Sequence, residues 1–131
     1  MVLIFGGAYQ GKLAYALERF GLLDDDVYRC DAGDTAAPGN KSLVYELDKW
    51  ILALVREGAD VAEAVKLFIA ENDQAIVICN DISCGVVPED PVLRKWREEV
   101  GRAMVELASA SGEVVRVFCG IASVLKDHTK K

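Results

Sequence analysis

Between Phe5 and Leu13 the chain changes its hydrophobic period, and it does so across a segment holding three glycines, Gly6, Gly7 and Gly11. Before the segment, Val2 to Phe5 is a continuous apolar run, the pattern of a strand buried on both faces. After it, Leu13, Ala16, Leu17 and Phe20 share one helical face, and Gly21 stops the helix. A buried strand that passes through a tight turn into an amphipathic helix is the opening unit of a parallel α/β sheet.

The rest of the chain repeats that alternation. Val27 to Cys30 is a candidate second strand, and Asp31 to Asn40, rich in Gly, Asp, Ala and Pro, reads as a loop. Leu43, Leu47, Trp50, Ile51 and Leu54 mark one amphipathic helix closed by Gly58. Asp60 and Glu63 have capping-box spacing ahead of a helix with Val61, Val65, Phe68 and Ile69 on its buried stripe. Ala75 to Cys79 is the strongest strand signal. Asp90 reads as an N-cap and Pro91 as the first residue of a long helix, with Leu93, Trp96, Val100, Ala103, Met104 and Leu107 along one face. Val114 to Phe118 is the last clear strand, and Ile121 to Leu125 is a short edge strand. The predicted architecture is one domain over residues 1–131, an α/β three-layer sandwich with a mainly parallel sheet. Its ligands are expected beyond the carboxyl ends of the strands.

Composition narrows the function. A net charge of -6 argues against a nucleic-acid partner, which needs a basic face. With 52% hydrophobic residues, 131 residues suffice for one core. No apolar run approaches the length of a membrane helix, and the short apolar start has no basic flank, so a cytoplasmic protein is expected. The cysteines Cys30, Cys79, Cys84 and Cys119 form no Cys-x-x-Cys pair and read as reduced thiols. Three of them end strands, which leaves a thiolate site open beside the plainer reading of small buried residues. Trp50 and Trp96 lie on apolar helix faces and read as core. Asp24, Asp25 and Asp26 read as a solvated turn.

Gly6-Gly7-Ala8-Tyr9-Gln10-Gly11-Lys12-Leu13 fits G-x-x-x-x-G-K and departs at the last position. In such a loop the glycines let curled N–H groups approach a phosphate, and the lysine adds a point charge. These eight residues are the candidate nucleotide-binding set, with ATP or GTP as ligand and the fold P-loop NTPase-like. Leu13 stands where a hydroxyl would normally hold magnesium, so Mg2+ binding is expected to be weakened. The alternative is a Gly-rich turn kept for packing alone. Asp31, just after the second predicted strand, is a candidate magnesium ligand; it reads more readily as a turn former, as does Asp34.

The stretch Val77-Ile78-Cys79-Asn80-Asp81-Ile82-Ser83-Cys84-Gly85-Val86-Val87-Pro88-Glu89-Asp90 resembles the adenosylcobinamide kinase / adenosylcobinamide-phosphate guanylyltransferase family, in which a strand ends in Asn-Glu before a Gly-rich turn and Val-Pro-Glu-Asn. The likeness continues through Arg97, Gly101, Arg102, the strand Val114 to Phe118, Gly120 and Leu125-Lys126. With the front loop it covers about the first 20 and last 55 residues. It implies phosphorylation of a cobinamide hydroxyl by a nucleoside triphosphate, then guanylyl transfer through a histidine. The partners implied are a nucleoside triphosphate and a corrinoid, with assembly into a homo-oligomer. By position, Lys12 and Asp81 would be catalytic, and Arg97 and Arg102 would meet phosphate or form surface ion pairs. Against the family pattern, Tyr9 replaces Arg, Gln10 and Leu13 replace Ser, and Asp81 replaces Glu. The chain has one histidine, His128 in the basic tail, which does not match the guanylylated position. The resemblance therefore implies a reduced or single activity, or a binding module that has lost catalysis.

Overall fold

The computed structural model describes residues 1–82 and 88–127. Its elements are β1 (Val2–Gly6), α1 (Lys12–Phe20), β2 (Val27–Arg29), β3 (Leu43–Tyr45), α2 (Leu47–Glu57), α3 (Val61–Glu71), β4 (Ile76–Asn80), α4 (Pro91–Ala110), β5 (Glu113–Phe118) and β6 (Ile121–Asp127). The strands form one sheet in the order β2-β3-β4-β1-β5-β6. All neighbours are parallel except β5 and β6, which form an antiparallel hairpin. The fold is the α/β three-layer sandwich that the alternating periods predict.

Alternation along each strand feeds two apolar layers. Leu3, Val77, Cys79 and Val114 point to one side and pack with α2, α3 and α4. Ile4, Ile76, Ile78, Val115 and Val117 point to the other side, where α1 lies with Ala16, Leu13 and Leu17. The central strand β1 is sandwiched by β4 and β5, in register Phe5 to Cys79 and Phe5 to Arg116. Its carboxyl end therefore emerges at the middle of the sheet, at the crossover point where such sheets bind ligands.

The helix signals hold. The Asp60 carboxylate accepts the Glu63 N–H at 3.1 Å, and the Asp90 carboxylate accepts the Val92 N–H at 2.8 Å ahead of Pro91. Trp50 is buried, tilted against Phe68 at 5.7 Å, with its indole N–H on the Thr35 carbonyl. At the far end of α1, Arg19 makes a two-pronged ion pair with Glu113 of β5 and lies over the Phe20 ring. The three aspartates before β2 form a short 3-10 turn on the surface.

One expected element differs. Leu43 does not begin the helix that holds Trp50; Leu43–Tyr45 is a strand, and α2 starts at Leu47. Leu43 and Leu47 are four apart and both fully buried, so they mimic one helical face. In the fold they point to opposite sides of the sheet, Leu43 into the α1 layer and Leu47 into the α2–α4 layer. The chain changes direction between them at Glu46, which takes the left-handed conformation at φ 59°, ψ 54°. No helix among the described residues is long and apolar enough to cross a membrane.

Candidate functional site

A cleft of about 410 Å³ opens at the carboxyl ends of β1, β3 and β4. One wall is the loop from Ala8 through Leu13 into α1. The other is built from Tyr45, Glu46, Asp48 and Lys49 at the start of α2, from Asn80, Asp81 and Ile82 after β4, and from Trp96 of α4.

The loop has the backbone that its glycines foretell. Gly6 sits at φ 151°, and a β-carbon there would lie 2.4 Å from the Val117 carbonyl oxygen, so only glycine lets β1 leave the sheet so close to β5. Gly11, at φ 89°, is the left-handed residue immediately before α1. Tyr9 is also left-handed, at φ 60°, with its ring wholly exposed at the cleft mouth. Non-glycine residues in this conformation are strained and need the surroundings to hold them.

Lys12, the first residue of α1, is only 4% exposed. Its ammonium donates to the Gly7 carbonyl inside the loop. Burial lowers its pKa below the usual lysine value, and the negative charges of Asp48 and Glu46 work against that shift. Leu13 lines the cleft but also packs on the α1-side layer, and it offers no oxygen to a metal.

Facing Lys12 is a carboxylate pair that the sequence reading did not single out. Asp48 is 3% exposed. It accepts the Asn80 N–H at 2.9 Å and the Asn80 side-chain amide at 3.3 Å, while its own carbonyl accepts the Trp96 indole N–H at 2.7 Å. Burial raises its pKa, partly offset by the two Asn80 bonds. Glu46 accepts from Asn80 at 3.3 Å and pairs with Lys49 at 3.1 Å. Asn80 therefore ties both carboxylates to the end of β4. Trp96, expected as core, is half core and half cleft wall.

Of the residues singled out in the sequence, Gly11, Lys12, Ala8, Tyr9, Gln10, Leu13 and Asp81 line the cleft, and Gly6 and Gly7 form the approach to it. The Asp81 N–H donates to the Gly6 carbonyl at 2.8 Å, which joins the two walls at their base. Asp31 stands outside: its carboxylate accepts the Gly33 N–H at 2.8 Å in a tight turn after the edge strand β2. Asp34 does the same for Ala36. Arg102 pairs with Glu99 on the surface of α4, and neither it nor Arg97 lines the cleft. Cys30 and Cys79 are buried thiols; burial pushes Cys30 up to about 12 and Cys79 well above its usual value, so both stay protonated. Cys119 is exposed. Among the described residues no three metal-ligating side chains converge. Cys84 and His128 lie outside the described residues.

Glu46 and Asp48 had a readable signal. Both lie just past the end of a strand, where ligand-binding residues gather. The strand was hidden because its leucine continued a helical spacing.

The model of the family described as cobinamide kinase / cobinamide phosphate guanyltransferase matches residues 35–125. That range takes in the middle of the chain, including β3 and α2, which the resemblance read from the sequence did not reach; the front loop precedes it. The chain is 34% identical over 53 residues to the bifunctional adenosylcobalamin biosynthesis protein CobU of Escherichia coli, covering 40% of this chain and 29% of that protein. It is 28% identical over 83 residues to the protein of the same name from Salmonella typhimurium, covering 60% of this chain and 45% of that protein. The match thus spans less than half the length of either relative. With most of its length matched by the family model, the chain belongs to the cobinamide kinase / cobinamide phosphate guanyltransferase family.

Proposed function

We propose that the cleft binds a nucleoside triphosphate, GTP or ATP, and that the chain serves cobalamin assembly through the phosphoryl-transfer half of its family's activity, with cobinamide as acceptor. The observation that carries this reading is the burial of Lys12 at the start of α1, beneath a loop whose glycines curl the backbone toward it. A lysine is rarely buried without a reason. Here its charge stands where the outer phosphates of a nucleotide would rest on the loop N–H groups. Phosphoryl transfer asks a protein for position and charge neutralisation more than for covalent chemistry. In this reading Gly6 to Leu13 cradle the phosphates, Lys12 draws charge from the transferred group, and Asp81 receives the proton of the attacking hydroxyl. Glu46 and Asp48, fixed through Asn80, keep Lys12 charged and aimed.

Among the described residues magnesium does not fit as a resident ion. Leu13 supplies no oxygen, and the Asp48 and Glu46 oxygens already accept from Asn80 and Lys49. No step is therefore assigned to a protein-held metal. A covalent guanylyl step through a histidine has no such residue among those described, since the chain's single histidine is His128.

A second reading, a binding module without catalysis, is favoured by the same Leu13, which packs into the α1-side layer. Calorimetric titration with GTP and ATP, with and without magnesium, beside Lys12→Ala, separates these. Saturable binding that Lys12→Ala abolishes, followed by phosphate transfer to cobinamide, supports the enzyme. Binding without transfer supports the module. Absence of binding at millimolar nucleotide overturns both.

A further inference from the structure

We propose that Gln10 is a positioning residue that clamps the phosphate loop to the turn between β5 and β6, and that this clamp sets the loop curvature on which nucleotide affinity depends. The inference rests on the nucleotide reading of the cleft and adds to it a role for a side chain that need not touch the ligand.

The turn has an unusual pair of donors. Phe118 and Ile121 pair across the hairpin, so Cys119 and Gly120 are its two central residues, at φ 51° and 76°. Positive φ at both is the signature of a type I′ turn. Both N–H groups go to one residue. The Gln10 side-chain oxygen accepts the Cys119 N–H at 2.6 Å, and the Gln10 carbonyl accepts the Gly120 N–H at 2.9 Å.

The side chain also braces the loop from within. A β-carbon on Gly7 would lie 3.6 Å from the Gln10 Cγ, so the glutamine crosses beneath the first bend of the loop. Next to it, Gly11 is pressed to the same turn: its β-carbon position is 3.4 Å from the Gly120 Cα. The strained residue Tyr9 is thus flanked by a loop that Gln10 and Gly11 fasten to β5–β6. A side chain two bonds shorter, such as serine, would not span the distance to Cys119.

The test separates the hydrogen bond from packing. Gln10→Met keeps length and bulk and loses the acceptor; Gln10→Glu keeps an acceptor. The full chain is titrated calorimetrically with GTP and magnesium as wild type, Gln10→Met and Lys12→Ala, and amide exchange is followed at Cys119 in all of them and in Gln10→Glu. Expected for Gln10→Met is affinity lower by about 5- to 10-fold, the worth of one hydrogen bond, with a thermal midpoint lower by about 3–5 °C and faster exchange at Cys119. Exchange in Gln10→Glu stays slow. Wild-type affinity in Gln10→Met, with binding lost in Lys12→Ala, overturns the clamp and leaves the site reading standing. Weakened binding with unchanged Cys119 exchange also overturns it. Failure of the wild type to bind GTP removes both readings together.

Discussion

Asp48 accepts both nitrogen donors of Asn80, the main-chain N–H at 2.9 Å and the side-chain amide at 3.3 Å. This double bond of contact joins the first turn of α2 to the end of β4, and it puts a buried carboxylate opposite the Lys12 ammonium. Removing the carboxylate leaves the Asn80 main-chain N–H without its acceptor and the Asn80 amide with Glu46 alone. Asp48→Ala is expected to destabilise the fold by about 2–3 kcal/mol, read as a lower urea midpoint with an unchanged slope.

The same residue gives a pH dependence. Burial is the main cause of its raised pKa, with the nearby charge of Glu46 adding to it. The folded chain therefore holds the Asp48 proton more tightly than the unfolded chain, whose value is near 3.8. Its contribution to stability is complete below that pH and is lost as pH rises through the folded value. Urea unfolding of wild type and Asp48→Asn across the acidic range should show the wild type losing ground to the variant as pH rises. A gap that moves the other way would mean that attraction to Lys12 outweighs burial.

How much of this was legible follows from where the chain's periods are clean. The β1–loop–α1 unit could be read because the apolar pattern switches from continuous to helical across glycines. Helices α3 and α4 could be read because Asp60 and Asp90 are capping residues at the right offsets. Strand β3 could not, since three residues are too few to show an alternation and Leu43 keeps helical spacing with Leu47. Losing β3 also lost the acidic wall. Once Leu43–Tyr45 is a strand, Glu46 and Asp48 stand at its carboxyl end, level with Lys12. The Gln10 contacts were beyond reach for another reason: they join residues 109 apart through backbone donors that carry no side-chain signature.

Glu46 carries strain as well as charge. It is left-handed at φ 59°, ψ 54°, with no side-chain cap of α2 to offset the cost. Glycine would take that conformation freely, a relief of about 1 kcal/mol, against the loss of a part-exposed pair with Lys49 and of one bond from the Asn80 amide, which Asp48 still accepts. Glu46→Gly is expected to raise the thermal midpoint while weakening nucleotide binding. A variant that is more stable and binds as well as wild type would remove Glu46 from the site.

The two glycines that open the loop should respond differently to a methyl group. At Gly6 the β-carbon would lie 2.4 Å from the Val117 carbonyl oxygen, backbone against backbone between the neighbouring strands β1 and β5. At Gly7 the nearest atom is the Gln10 Cγ at 3.6 Å, ordinary contact. Gly6→Ala is expected to cost about 2–3 kcal/mol through forced shifts of β1 and β5, and Gly7→Ala to stay within about 0.5 kcal/mol. Chemical unfolding of the pair under one set of conditions checks the contrast.

Cys119 occupies the first central position of a type I′ turn with a side chain poorly suited to it. Its φ is 51°, its thiol is exposed, and its N–H is held by Gln10. Asparagine tolerates the left-handed conformation better, and Asn-Gly is the preferred pair for this turn. Cys119→Asn changes neither the N–H donor nor the Gly120 that follows. It is expected to stabilise the hairpin by about 0.5–1 kcal/mol and to leave GTP affinity as in wild type, because the clamp from Gln10 acts on the backbone. Thermal unfolding and calorimetric titration of this one variant check both statements. A stabilised variant with weakened GTP binding would show that the Cys119 side chain itself, rather than its N–H, supports the loop.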